Sequence, residues 1–303
     1  MKSLSYSTFF LLLFSLALSC KKDQNPDPGE KLFTDPTHLP LPPQGCKIVK
    51  ISYKEPSAGR TKEQIWEPET ITLEDGKNVN VSIVYKGVYT YDSNSRIKTF
   101  KEYDIENYVN SCRYVYTTDY AICIKEDIIK GIGQSVRVDT IQLNEKGLRT
   151  RFKGLGKSYY IYNDQDQLVD DDQKCPGASH TYENGNLVQR ILYQYCDQLG
   201  NGQWHFYDRQ INHYFYHPTR PDLPTLFQMD GNSNRNLPVK ELWETQHSEY
   251  PRGYVYQKIY TYLYDQHGQV RRRIVHGKSL VPGWLIEDNL HGVGVYDYEY
   301  DCP

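Results

Sequence analysis

The chain reads as an all-β protein, a long antiparallel meander forming one large twisted, curled sheet, with a β-sandwich or barrel as the alternative. Three observations predict this. From Cys46 onward the apolar period is mostly two, as in Val79, Val81 and Ile83 or in Tyr254 and Tyr256 and in Tyr260, Tyr262 and Tyr264, the period of a strand with one buried face. Turn signals recur about every ten to fifteen residues, and such short Gly/Asn/Asp loops join antiparallel hairpins, because parallel pairing needs a crossover of about a dozen residues or more. Finally, 28 Tyr against 9 Phe and 2 Met supply rings with a polar tip, which suit half-buried sheets better than helical cores. No amphipathic stretch of helical length carries caps.

In chain order, the first element is an address. Lys2 precedes the apolar run Phe9-Phe10-Leu11-Leu12-Leu13-Phe14 and then Leu16-Ala17-Leu18-Ser19, so residues 1–19 have the layout of a secretory signal peptide, too short for a transmembrane helix. Ser19-Cys20 resembles the lipobox of bacterial lipoproteins, in which the Cys20 thiol receives a diacylglycerol before cleavage; Ala17 stands where Leu is usual. The start Cys20-Lys21-Lys22-Asp23 is similar to that of outer-membrane lipoproteins, some of them displayed on the cell surface. The resemblance implies an exported protein whose membrane contact is an N-terminal lipid, the several acyl chains of a lipidated Cys being enough for stable anchoring.

Residues 20–44 then read as a tether. Pro26, Pro28, Pro36, Pro40, Pro42 and Pro43 favour polyproline II at about 3.1 Å per residue, a reach on the order of 70 Å. Residues 45–303 form the β-meander domain. Its turn signals are Asp75-Gly76, Asp92-Ser93-Asn94, Gly131-Ile132-Gly133, Lys146-Gly147, Gly154-Leu155-Gly156, Asn184-Gly185, Gly200-Asn201-Gly202, His267-Gly268 and Gly292.

Several turns share a grammar. Tyr264-Asp265-Gln266-His267-Gly268-Gln269-Val270 is the fullest copy, and Tyr91 to Ile97, Tyr162 to Leu168, Leu143 to Leu148 and Tyr182 to Leu187 are variants. Tyr ends a strand, Asp or Asn bonds the turn backbone, Gly supplies a positive φ and the aliphatic returns to the buried face. The pattern resembles the YD repeats of RHS-type proteins, and more closely the YD-like lipoproteins of Gram-negative envelopes. That resemblance, scattered over residues 80 to 300, implies a curled β-shell or meander and carries no active site.

Apart from Cys20, six cysteines in an oxidising compartment permit three disulfides. If the loop around Thr117-Thr118 closes a hairpin, positions summing to 235 face each other, which sets Cys112 against Cys123. Cys175 and Cys196 flank the Asn184-Gly185 hairpin as a second pair, leaving Cys46 with Cys302 to tie the ends of the body.

The near balance of 35 Lys+Arg against 38 Asp+Glu leaves no footprint for nucleic acid. His205, His213 and His217 share parity but lie too far apart along a strand to converge on a metal. Asp164, Asp166, Asp170, Asp171 and Asp172 lack the Gly and terminal Glu of a calcium loop. No nucleophile elbow, zinc-protease motif or phosphate loop occurs, so no catalytic residue, metal or cofactor is assigned. The aromatic supply points instead to binding. Trp204, Trp284 and Trp243 are candidate ligand-binding residues, and the Pro-rich segment from His217 to Val239, without a strand pattern, is a candidate binding loop. The reading that follows is a non-catalytic binding module for a glycan or a protein partner; the alternatives are a structural component of an envelope assembly and a hydrolase of envelope or dietary polymers.

Overall fold

The computed structural model describes residues 31–303 apart from 105–107, 130–132, 154–158, 173–178, 199–200, 202–203, 233, 247–252 and 282–291. The strands are β1 (Lys47–Pro56), β2 (Trp66–Thr72), β3 (Asn78–Tyr91), β4 (Ile97–Asp104), β5 (Tyr108–Tyr116), β6 (Tyr120–Ile129), β7 (Gly133–Leu143), β8 (Arg149–Lys153) and β9 (Tyr159–Tyr162). They continue as β10 (Leu168–Asp172), β11 (Ser179–Glu183), β12 (Asn186–Gln198), β13 (Trp204–Pro221), β14 (Asn236–Thr245), β15 (Gly253–Tyr264), β16 (Val270–Ser279) and β17 (Val293–Asp301). The helical content among the described residues is two single turns of 3-10 helix, Lys62–Gln64 and Gln228–Asp230.

All pairings are antiparallel. Neighbours in sequence pair from β3 to β10 and from β11 to β17, and β1 joins the two halves by lying between β17 and β3. Residues 81–83 of β3 pair with both β1 and β2, and 85–88 with both β1 and β4, so β2 and β4 share one edge of β3. Between β10 and β11 the described contacts are side chain to main chain: Tyr182 Oη donates to the Leu168 carbonyl at 3.0 Å and His180 Nδ1 lies 3.3 Å from the Val169 carbonyl. No main-chain ladder closes the curled sheet at that seam among the described residues.

Because the strands alternate in direction, every second connection falls at the same end, and the recurrent turns all gather there. Asp92, Asn144, Asn163 and Asp265 each accept two main-chain N–H bonds on Oδ1, from the second and fourth residues onward, at 2.9–3.0 Å. The fourth turn residue takes positive φ each time: Ser95 at 64°, Gly147 at 78°, Asp166 at 60° and Gly268 at 74°. The following aliphatics Ile97, Leu148 and Val270 are then buried at 0, 6 and 6 % exposure. Five tyrosines, of which Tyr91 and Tyr182 belong to the grammar, have a second task. Tyr91 Oη donates to the Ile48 carbonyl, Tyr116 to Ile97, Tyr182 to Leu168, Tyr216 to Leu187 and Tyr300 to Val270, at 2.6–3.0 Å. Each bond pins the first or second residue of one strand to the neighbouring strand, so phenylalanine cannot replace the ring without removing that carbonyl's phenolic donor.

Two long-range segments close this turn end. The first, a strap, is the part of the expected tether from Phe33 onward, which is no free spacer. Phe33 and Tyr264 exchange both main-chain bonds at 2.8 Å, and the buried Arg220 guanidinium donates to the carbonyls of Pro36, Leu39 (2.8 Å) and Pro40 (2.5 Å). The second, a plug, belongs to the segment expected as a binding loop. Strand β13 runs to Pro221, β14 begins at Asn236, and the residues between fold inward: Phe227 packs edge-on against Phe100 at 6.1 Å, Asp230 meets Arg149 at 3.1 Å, and Asn232 N–H bonds the Asp166 carbonyl at 2.8 Å. Proline-rich composition here marks a chain without donors that fills the inside of a sheet, which composition alone does not distinguish from a surface loop.

Two disulfides staple the fold, Cys46–Cys302 across the ends of β1 and β17, and Cys112–Cys123 between β5 and β6. The register behind the second differs from expectation. The turn is Thr117 to Tyr120, Cys112 faces Lys125 and Cys123 faces Tyr114, so facing positions sum to 237 and the bond runs diagonally across a Cα separation of 5.9 Å, within bridging range. Cys175 lies outside the described residues; Cys196 is placed in β12 opposite Phe206.

The inner face holds the main core, with Ile48, Ile51, Tyr89, Ile97, Leu237 and Tyr262 among its buried residues. A smaller core lies on the outer face, where Ile71 and Leu73 cover Ile274 and Val295. Beside it Lys54 and Arg272 share the carboxylates of Glu69 and Asp297 at 2.5–3.2 Å. The outer face of β1, β3, β16 and β17 thus carries Lys50, Lys54, Lys86, Arg272, Asp297 and Glu299 in mid-strand, which breaks the continuous apolar band that a lipid-facing strand face requires.

Candidate functional site

Cross-strand partners share a face, and one row of partners crosses six strands: Tyr262, Arg273, Tyr296, Tyr53, Tyr85 and Asp104. It runs along the inner face of the curled sheet, from the buried Tyr262, in one cluster with Leu223, Leu226 and Phe227 of the plug, to the less buried Tyr296, Tyr53 and Tyr85. The Tyr53 ring lies between Tyr296 at 4.6 Å and Tyr85 at 5.3 Å, a tilted aromatic row of the kind that stabilises cross-strand contacts. The Arg273 guanidinium stands 4.3 Å over the Tyr296 ring and 5.9 Å from that of Tyr298, close enough for cation–π attraction. Glycine makes room for the rings: a Cβ at Gly294 would sit 3.1 Å from the Tyr53 ring.

Hydroxyl chemistry divides these tyrosines. Tyr53 Oη donates to Glu55 at 2.9 Å and Tyr262 Oη to the Pro238 carbonyl at 2.7 Å. Tyr85, Tyr296 and Tyr298 make no hydrogen bond among the described residues. Burial, and then its neighbours Tyr296 and Glu102, push the Tyr85 hydroxyl up to about 12, so it is a donor at neutral pH. Nearby Glu102 is raised by burial against the hydrogen bond it accepts from Asn110.

A second group continues the inner face towards the strand ends opposite the turns. The buried Glu241 carboxylate accepts from Trp243 Nε1 at 2.5 Å, Asn212 Nδ2 at 2.6 Å and Tyr260 Oη at 2.8 Å; burial first, and Glu241 next, keep that phenol protonated. Lys258, the cross-strand partner of Glu241, lies 4.5 Å over the Trp243 ring. Three donors commit both oxygens of this carboxylate, so the group orients the indole.

Of the tryptophans expected to bind a ligand, Trp243 is therefore in mid-strand on the inner face and not in a loop. Trp204 opens β13 with its side chain outside the described residues, and Trp284 lies outside them altogether. Cys20 and the signal segment also lie outside. His213 points to the outer face, 3.5 Å from Glu244 and edge-on to Tyr254, while His217 accepts main-chain bonds from Thr219 and Arg220; the side chain of His205 is not among those described. Asp166 pairs with Lys146 at 2.5 Å in its turn. No cluster of three His, Cys, Asp or Glu side chains suited to a metal occurs among the described residues.

Sequence reasoning missed Arg273. It is the last of the run Arg271-Arg272-Arg273, whose members alternate between faces: Arg271 faces Asp265 at 3.8 Å, Arg272 points outward to Asp297 and Glu69, and Arg273 points inward among tyrosines. The even spacing of Tyr260, Tyr262 and Tyr264 signals a strand with one tyrosine face, but the partners from β16, β17, β1 and β3 need the register. A cavity of about 710 Å³ also lies at the turn end between Leu41–Cys46 and Pro218–Pro224, where Arg220 is already committed to the strap.

No protein-family model matches the chain, and no curated protein matches it. Among solved structures, the chain is similar to a porin-like protein from Bacteroides uniformis at 14 % identity and a TM-score of 0.43, covering 84 % of this chain and 98 % of that one. It is also similar to a porin-like protein from Bacteroides vulgatus at 11 % identity and a TM-score of 0.24, with the same coverage.

Proposed function

We propose that this is an exported, lipid-anchored protein of the cell envelope that binds a glycan, without catalysis, along the tyrosine-lined inner face of its curled sheet. The observation that carries the reading is the row Tyr262, Arg273, Tyr296, Tyr53, Tyr85 on one face. Sugar rings stack on aromatic faces and present hydroxyls as acceptors, and this surface offers half-buried rings together with uncommitted donors. The signal layout, the lipobox-like Ser19-Cys20 and the charged outer face support a body held at a membrane by its N-terminus rather than one that spans it.

The test is binding of the full-length chain, in neutral detergent, to an oligosaccharide panel. Saturable binding to one class, weakened about tenfold or more in Tyr296→Ala and Tyr53→Ala, is expected; an unchanged affinity in both variants would sink the inner-face reading. A second reading, a component of an envelope assembly, rests on the outer face of β5 to β7, where Val115, Ile128, Val136 and Val138 stand 40, 41, 63 and 61 % exposed, an apolar patch of the kind partners cover. Retention of one envelope protein, lost in Val136→Lys with Val138→Lys, would favour it.

A further inference from the structure

Arg273 carries a charge that the protein leaves without a counter-charge in contact. A guanidinium is always protonated, and buried cations are normally paired, because desolvation without compensation is costly. Its Nε is fully buried with no acceptor, and no hydrogen bond or ion pair to the group occurs among the described residues. The residue as a whole keeps intermediate exposure on the inner face of the sheet.

The surroundings are as unusual as the charge. Tyr85, Tyr296 and Tyr298, whose hydroxyls have no hydrogen-bond partner among the described residues, all border Arg273, and Tyr296 and Tyr298 hold it by their rings. Asp222 is the acid that faces this region most directly, but its carboxylate accepts from the Leu223 N–H at 2.8 Å and from Asn234, and it stands beyond ion-pair reach. The neighbouring arginines show what a structural role looks like here: Arg272 has two carboxylates and Arg220 three carbonyls. Arg273 alone of these has donors, aromatic walls and no acceptor.

Such a group of donors is complementary to one kind of guest. A carboxylate or sulfate takes two parallel bonds from a guanidinium fork and further bonds from phenolic hydroxyls, and in a half-buried site these charge-assisted bonds are stronger than in water. We propose that Arg273, with Tyr85, Tyr296 and Tyr298, is the receptor for the anionic group of an acidic saccharide, a uronate or a sulfated sugar, whose rings lie along the tyrosine row. This rests on the glycan reading above and narrows it.

The experiment is calorimetric titration of the full-length chain in neutral detergent with trigalacturonate, with its trimethyl ester, and with sodium sulfate alone. The acid is expected to bind at least about tenfold more tightly than the ester, sulfate to compete with it, and Arg273→Gln to abolish the difference while circular dichroism and melting temperature stay those of a folded protein. Because Arg273→Gln could disturb the tyrosine packing, Tyr85→Phe provides a second arm: it keeps the ring, removes one donor, and should weaken the acid about three- to fivefold and the ester far less. Equal affinity for acid and ester, or a preference that survives in Arg273→Gln, overturns the proposal and leaves the glycan reading standing. If neither saccharide binds, the glycan reading fails and sulfate decides: binding lost in Arg273→Gln upholds an anion receptor of another kind, and no sulfate binding overturns that too.

Discussion

Tyr300 and Tyr296 sit four residues apart on the same face of the same strand, yet they do different work. Tyr300 is buried at 2 % exposure and donates to the Val270 carbonyl, as Tyr91, Tyr116, Tyr182 and Tyr216 do to theirs. Tyr296 is half-buried, stacks on Tyr53 and Arg273, and has an uncommitted hydroxyl. The same contrast holds for the two ends of the sheet. At the turn end the connections after β3, β7, β9 and β15 share one hydrogen-bond pattern and the end is locked by strap, plug and disulfide, whereas connections at the opposite strand ends run from 3 residues between β4 and β5 to 13 between β16 and β17. One end is built for closure, and the inner face beyond it keeps donors free. A test that separates the regions should hit stability when aimed at the first and binding when aimed at the second.

The largest effect is expected from Cys46→Ala with Cys302→Ala. That bond joins residues 256 apart, and removing so long a loop closure should cost about 3–5 kcal/mol, against about 2–3 kcal/mol for the Cys112–Cys123 pair that closes a short hairpin. Denaturant midpoints of the two double variants check the order. A smaller loss from Cys46 and Cys302 would mean that strap and plug hold the turn end without the bond. Next comes Gly268→Ala. A Cβ there would collide with the Pro40 carbonyl oxygen, on a residue with φ of 74°, so both the turn and the strap must shift. We expect a loss of about 2–3 kcal/mol and faster proteolysis between residues 33 and 45.

These variants also show what the chain reveals by itself. Hairpins, their turn residues and the strand period were legible because each depends on neighbours within about five residues: Asp265 bonds His267 and Gln269, and Gly268 turns the chain. The Cys46–Cys302 pairing was legible by elimination. The strap and plug were not, since Pro40 meets Arg220 and Phe227 meets Phe100 across more than a hundred residues, and proline-rich sequence looks alike whether it is a spacer or a filling. A one-residue displacement of the turn was enough to misplace Cys112 against Cys123 while keeping both on the same face. Arg273 needed the register of β16, β17, β1 and β3 together. Tyr254 and Tyr256, expected on one face, are split by an irregularity opposite Trp243 and Glu244.

Asp222 marks the border between the plug and the inner face. Burial raises its carboxyl to about 6, opposed by the Leu223 N–H, by Arg273 and by Asn234. The folded protein therefore holds this proton more tightly than the unfolded chain does. The resulting stability is fully present below the unfolded value near 3.8 and is lost as the pH rises through 6. At about 1.4 kcal/mol per unit the ionised group costs on the order of 3 kcal/mol. Asp222→Asn should accordingly be more stable than the parent at pH 8 and equal to it near pH 4. The difference between the two stability curves isolates this group, and a flat difference would place the carboxyl in contact with water.

The smallest change is the sharpest discriminator, because Tyr→Phe removes one oxygen and keeps the ring. In Tyr300→Phe the Val270 carbonyl is left buried without its donor, and the expected cost is about 1–2 kcal/mol with sugar binding unchanged once the protein is folded. In Tyr296→Phe no bond within the protein is lost, the contacts with Tyr53 and Arg273 remain, and stability should stay within about 0.5 kcal/mol while affinity for an acidic saccharide falls. Paired chemical denaturation and titration of the two variants read both quantities. If Tyr296→Phe also costs more than about 1 kcal/mol, its hydroxyl has a structural acceptor and the inner row is part of the frame. If it costs nothing in either assay, the tyrosine row serves only by its rings, and the donor that matters is Arg273 alone.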